Sequence, residues 1–189
     1  MFAEHQTKPV TAVQLDTAEL VELLKQSAVE HLTTFRQLEA QKSGSLIKIV
    51  TNDYEALYAY KCGEYQRCLQ LSIDNVRSLV GGTDVGSPVF VHPEFIQLMD
   101  EDVVSLIGLM LIVDPLCRET PQHISVYQLG LSLYLMTRCQ IKLHHPVTSL
   151  VQTLDYIEVS RRQVVEELTL DQLLLKLTER KLLSYIISL

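Results

Sequence analysis

The sequence is poor in the residues that interrupt regular structure, with Gly 7 and Pro 6 among 189 residues. Its other values are ordinary for a folded protein, since 47% of residues are hydrophobic, 21% are charged and 6% are aromatic. This composition excludes the collagen-like, low-complexity and disordered classes. At about 150 residues per domain, the length predicts one domain or one compact array.

The sequence also has no strongly basic stretch. Lys+Arg number 16 against Asp+Glu 23, which gives a formal charge of -7. Residues 138–189 are the most basic part, yet they hold 7 basic side chains against 6 acidic ones. Nucleic-acid binding depends on a clustered excess of Lys and Arg that neutralises phosphates. We therefore expect no nucleic-acid partner.

No apolar run has the length of a membrane span. The longest covers residues 103–113, between Asp102 and Asp114, whereas a span takes about 20 apolar residues. We expect a buried core helix there. Residues 1–9 lack a basic segment followed by an apolar one, which predicts no secretory signal. The expectation is a cytoplasmic protein with no membrane partner.

Patterns typical of catalysis, cofactors and metal sites are missing as well. The four cysteines form no CxxC pair, and those at 62, 68 and 139 fall on predicted apolar faces, so we expect reduced and mostly buried thiols. His144 and His145 are adjacent and point to different sides of a helix, unlike the His-x-x-x-His spacing of zinc sites. Gly81-Gly82 lacks the Gly-Lys-Ser/Thr ending of a phosphate loop. These observations predict no catalytic, cofactor-binding or metal-binding residues, and a protein that is not an enzyme.

The remaining pattern predicts an all-α protein. Residues 1–15 form a loose N-terminal segment, and residues 16–189 form a single helical domain with a possible break at the 80–92 loop. Capping-box pairs mark two helix starts, Asp16 with Glu19 and Thr169 with Gln172. The expected helices cover residues 16–40, 53–62, 64–79, 94–99, 101–113, 124–143, 148–162 and 169 to the end. Residues 46–50 fit a strand or a helical lead-in, and residues 124–136 also show strand-like alternation, where length favours helix.

The hairpin over residues 53–79 resembles a tetratricopeptide repeat. The resemblance rests on a small residue, an aromatic residue, a corner Gly-x-Tyr and a second small residue, which here are Ala56, Tyr60, Gly63, Tyr65 and Cys68. It covers about one 34-residue unit. Glu55 stands where the family has a large apolar residue, and the closing proline is missing. A weaker echo follows at residues 130–134.

This resemblance implies antiparallel hairpins stacked as a superhelix, with a concave surface that binds a peptide or helix. The residues that would line this surface are Asp53, Tyr54, Leu57, Tyr60, Lys61, Tyr127 and Tyr134. Tyrosines supply apolar area with a hydrogen-bonding tip, which suits an extended peptide. The alternative is that these tyrosines pack between neighbouring helices. The preferred hypothesis is a protein-interaction module with a protein or peptide partner.

Two other functions stay open. The stretch from Tyr60 to Leu71 resembles helical regions that follow nucleotidyltransferase-type domains in large invertebrate proteins, which would make the chain a helical tail. In that case Gly44-Ser45, Asp53 and Glu55 would sit on adjoining strands around magnesium. The second is a helical oligomerisation domain that self-associates through apolar residues of the C-terminal helix, namely Leu182, Leu183, Ile186 and Ile187.

Overall fold

The fold is all-α, apart from two short strands that pair with each other, in a computed structural model of the chain. The structure describes residues 45–80, 89–90, 96, 98–115, 125–163 and 170–189, together with single positions between 20 and 37 that are helical. The elements with bounds, in chain order, are α1 (Ser45–Lys61), α2 (Tyr65–Val80), β1 (Val89–Phe90), α3 (Glu101–Val113), β2 (Ser125–Val126), α4 (Gln128–Lys142), α5 (Val147–Gln163) and α6 (Leu170–Ser188).

Helices α1 and α2 form the predicted hairpin. Its corner glycine, Gly63, has a φ of 78°, a conformation that a residue without Cβ adopts at little cost. The Glu64 N–H donates to the Ala59 carbonyl, and the Gly63 N–H donates to the Tyr60 carbonyl, which together close the end of α1. Residues 46–50 continue α1 rather than forming a strand.

Helix α4 lies at the centre of the described structure and packs against α1, α2, α5 and α6. Twelve of its residues are buried, so neighbouring elements cover this helix on most of its sides. Side-chain contacts between the helices show their directions. Helices α1 and α6 run parallel to α4, and α2 and α5 run antiparallel to it. A solenoid places each repeat against its sequence neighbours only, whereas here one helix serves as the core of the bundle.

The predicted helices differ from the observed ones mainly at their starts. Helix α3 has the predicted bounds, and Asp100 caps it by accepting the Asp102 N–H. Residues 125–126 were predicted as helix but pair antiparallel with β1, Val89 with Val126. This pairing joins segments far apart in sequence, which local periodicity does not report. The loose segment 1–15, Thr169 and most of the 80–92 loop lie outside the described residues.

Candidate functional site

Four residues of the predicted binding surface lie in the core. Asp53, Tyr54, Leu57 and Tyr134 are each at most 4% exposed. Leu57 and the two tyrosines belong to the buried apolar cluster between the helices, so for them the alternative interpretation holds. The prediction that these four side chains line an open surface is corrected by this burial, because α1 packs against both α2 and α4.

The other three predicted residues are accessible. Lys61 is exposed at the end of α1, and Tyr60 and Tyr127 are half-buried. Tyr60 packs edge-on against Tyr65, with ring centroids 5.5 Å apart. Tyr127 precedes α4 at the opposite end of that helix, so it does not join the other two in one surface.

Asp53 instead belongs to a buried polar network, which we call the core network. Its carboxylate Oδ1 accepts the Ser132 hydroxyl at 2.6 Å and the Asn75 side-chain amide at 2.9 Å. The Asn75 amide also donates to the Ile49 carbonyl, and its oxygen accepts from Asn52. The core network thus ties α1, α2 and α4 together, which fixes their register.

Burial dominates the electrostatics of Asp53. It raises the pKa of this carboxyl to about 7, while the hydrogen bonds from Ser132 and Asn75 act in the opposite direction. Its second oxygen, Oδ2, has no hydrogen-bond partner among the described residues. A carboxylate with one satisfied oxygen favours the protonated form, so Asp53 holds its proton up to neutral pH.

A second network lies at the other end of α4, beside the α1–α2 corner. Arg138 donates from Nε to the Tyr60 hydroxyl at 3.1 Å and from a terminal nitrogen to Asp100 Oδ2 at 2.8 Å. Asp102 forms an ion pair with Lys181 at 2.7 Å and accepts the Tyr134 hydroxyl at 3.4 Å. We call these six residues the charged network; they connect α1, α3, α4 and α6.

Two charged groups of this network, Arg138 and Asp100, have pKa values that favour their ionised forms. Burial would lower the pKa of Arg138, but Tyr134, Tyr60 and Asp100 outweigh it and raise that pKa. Burial likewise opposes ionisation of Asp100, yet the Asp102 N–H and Arg138 keep its pKa below the usual value. Burial raises the pKa of Tyr60 to about 12. Arg138 and Asp100 are therefore a permanent ion pair at neutral pH.

An open groove runs between α4 and α6 next to this network. Its volume is about 490 Å³, and we call it the α4–α6 groove. Its walls combine three cationic side chains, three hydroxyls and two aliphatic residues. The lining residues are Arg138, Arg180, Lys181, Ser184, Tyr185, Ser188, Ile141 and Leu177. The lining of the groove therefore combines positive charge with apolar side chains.

Asp171 is a second buried carboxylate, in the first turn of α6. Its Oδ1 accepts the Tyr127 N–H at 2.8 Å and so replaces the missing side-chain cap at the start of α4. Burial raises the pKa of Asp171 to about 6. Gly130 leaves room for this contact, since a Cβ there would approach Asp171 Oδ1 to 3.1 Å. Asp171 therefore joins two helix starts and plays a structural part.

The described residues contain no group of three or more histidine, cysteine or acidic side chains that could hold a metal ion. Cys68 and Cys139 are buried free thiols, as expected, whereas Cys62 is exposed at the hairpin corner and corrects the expectation for that position. A hydrogen bond with Cys68, together with burial, raises the pKa of the Cys139 thiol. His144 lies in the α4–α5 turn with a φ of 53°, and its Nδ1 lies 3.0 Å from the Tyr185 hydroxyl.

The geometry expected of a nucleotidyltransferase magnesium site is not present in the described part of the chain. Asp53 and Glu55 lie in one helix rather than on adjoining strands, and Glu55 pairs with Arg67. Among the residues expected to self-associate, Leu182 is buried, while Leu183 is 41% and Ile187 is 84% exposed. None of the described helices is both long and apolar enough to cross a membrane.

The residues that build the groove were missed by the sequence analysis. Arg138 looks like an ordinary helical charge, and Arg180 and Lys181 look like a solvated face of α6. The one available signal was the spacing of Arg180, Ser184 and Ser188, which places them on one face of a helix. That spacing does not report which helix lies opposite.

Comparisons with models of known families, with curated proteins and with solved structures find no match to this chain.

Proposed function

We propose that the chain is a non-enzymatic protein-interaction module that binds a peptide or helix beside the α1–α2 corner. The observation that carries the proposal is the pairing of Lys61, exposed at the end of α1, with the half-buried Tyr60. Tyrosine is enriched at protein interfaces, and an exposed lysine beside it can attract an acidic group of a partner. Under this proposal the α1–α2 hairpin acts as a tetratricopeptide-like unit whose corner presents the two side chains.

The surroundings of Tyr60 support this role. Its hydroxyl is held by Arg138 at 3.1 Å and lies 3.3 Å from Asp100, and its ring rests on Tyr65. A side chain fixed on both sides loses little conformational entropy when a partner binds. The Tyr60 side chain at the corner is therefore preorganised for binding.

Capture of partners by the full chain tests the proposal. Lys61→Glu reverses the exposed charge at the corner, and Lys48→Glu makes the same change at an exposed position near the start of α1. We expect proteins retained by the wild-type chain and by Lys48→Glu to be lost with Lys61→Glu. If both variants retain the same proteins as the wild type, the corner is not the binding surface and the proposal fails.

Self-association is a second candidate function, and one observation favours it. The last turn of α6 carries Ile187 at 84% exposure, followed by Leu189 at 68%. Paired apolar groups of this kind are often covered by a partner. Light scattering over a range of protein concentrations tests it, with Ile187→Glu as the variant that should abolish any dimer. A strictly monomeric wild-type chain would remove this candidate.

A further inference from the structure

The cationic side chains of the α4–α6 groove differ in how they are held. Arg138 and Lys181 are about three-quarters buried, with 23% and 24% of their side chains exposed, and each is paired with an aspartate. Arg180 is exposed and has no ion-pair partner among the described residues. Two anchored cations and one uncommitted cation therefore face the same opening.

The aspartates that pair with the anchored cations differ in exposure, and the Asp102 side chain is 38% exposed. The Asp100 side chain is 10% exposed and is occupied by Arg138, Tyr60 and the Asp102 N–H. Neither Asp100 nor Asp102 lines the groove. The opening therefore presents positive charge, although the whole chain carries -7.

Three hydroxyl groups line the α4–α6 groove beside the cationic side chains. Ser184 and Ser188 follow Arg180 at intervals of four residues, so the three side chains share one face of α6. Tyr185 lies beside them, and its hydroxyl is 3.0 Å from His144 Nδ1. Hydroxyl and guanidinium donors together bind the oxygens of carboxylate and phosphate groups.

We propose that the α4–α6 groove binds an acidic segment of a protein partner, whose carboxylates pair with Arg180 and Lys181. Ile141 and Leu177, which also line the groove, would contact a hydrophobic side chain of the same segment. This inference deepens the proposed function, since Arg138 connects the groove to Tyr60. Clusters of cations that read acidic or phosphorylated motifs are a recurrent mode of peptide recognition.

Calorimetry with a defined probe tests this proposal on the full chain. The probe is a short amidated peptide of leucine and glutamate, compared with the same peptide carrying glutamine. We expect binding of the glutamate peptide that weakens as salt is added, because exposed charges are screened beyond about 8 Å at physiological ionic strength. If a third peptide with phosphoserine in place of glutamate binds and the glutamate peptide does not, the groove selects phosphate and the proposal is overturned. If neither acidic peptide binds, or if the glutamine peptide binds equally well, the proposal is overturned.

Two charge-reversal variants test whether the acidic peptide binds in the α4–α6 groove. Arg180→Glu reverses the uncommitted cation and should weaken the binding of the acidic peptide roughly tenfold. Arg77→Glu makes the same change at an exposed position of α2 and should leave it unchanged. An equal loss in both variants would show attraction to overall charge and would overturn the groove as the site. The two proposals can fail separately. If Lys61→Glu does not affect the capture of partners but the acidic peptide still binds, the proposed function at the corner fails and the groove remains a binding site.

Discussion

The core network and the charged network both cross-link α4 to its neighbours, but they lie in different surroundings. In the core network, Asp53 is 4% exposed and Asn75 is 1% exposed, and a single carboxylate is held by neutral donors. In the charged network, Arg138 and Asp100 form an ion pair at 2.8 Å whose cation reaches the α4–α6 groove. The comparison shows that the polar groups of the core network are enclosed between helices, whereas the charged network borders an open groove through Arg138 and Lys181.

The largest loss of stability should come from removing the Asn75 side chain. The substitution Asn75→Ala deletes the donor to Asp53 and to the Ile49 carbonyl and leaves a small cavity. We expect a loss of roughly 3 kcal/mol in the free energy of unfolding, measured by urea denaturation. Ser72→Ala is the control, since this buried hydroxyl of α2 has no hydrogen-bond partner among the described residues, and it should cost less than about 1 kcal/mol. Equal losses in the two variants would mean that the hydrogen bonds of Asn75 are immaterial.

The second largest effect should be a dependence of stability on pH that comes from the core network and not from the charged network. The pKa of Asp53 is about 7 in the folded chain, against 3.8 for the unperturbed group. Between these values the folded state binds more protons than the unfolded state, so stability falls as the pH rises from about 4 to 7. The slope due to Asp53 is at most about 1.4 kcal/mol per pH unit.

The substitution Asp53→Asn imitates the protonated form and should flatten this slope. Part of the slope should remain, because the pKa of Asp171 is also raised, to about 6. Denaturation curves at several pH values measure the difference, and Asp155→Asn, at an exposed position of α5, is the control. A variant with an unchanged pH profile would show that Asp53 is ionised throughout in the folded chain.

The fold was predictable where local chemistry decides it. The bounds of α3 follow from Asp100 before the helix and the Asp114-Pro115 pair after it, and the hairpin corner follows from Gly63. The pairing of β1 with β2 was not predictable, because two-residue strands carry no periodic signal and their partners lie far apart in the chain.

The site residues show the same limit. The pattern of Tyr54 and Tyr134 is shared by core and surface tyrosines, and only the central position of α4 decides that both are buried. The sequence does not indicate Arg138 and Arg180 as a pair, because they belong to different helices. Each is unremarkable on its own helix, and the two line one groove only because α4 and α6 lie side by side.

A smaller effect is expected at Asp100, where the two substitutions Asp100→Ala and Asp100→Asn differ in what they keep. Asparagine retains an oxygen that can accept the Asp102 N–H and cap α3, while alanine loses both this cap and the partner of Arg138. We expect Asp100→Ala to cost about 2 kcal/mol and Asp100→Asn about 1 kcal/mol, measured by urea denaturation. Equal costs for the two would show that the helix cap contributes nothing measurable.

The smallest effect on stability should come from Arg180→Glu. Its side chain is exposed and makes no ion pair among the described residues, so the free energy of unfolding should change by less than about 0.5 kcal/mol. Lys181→Ala removes the partner of Asp102 and should cost slightly more, up to about 1 kcal/mol. Thermal denaturation of both variants measures this difference. If Arg180→Glu destabilised the chain as much as Asp100→Ala does, Arg180 would be a structural residue like Arg138, and its charge would not be available to a ligand.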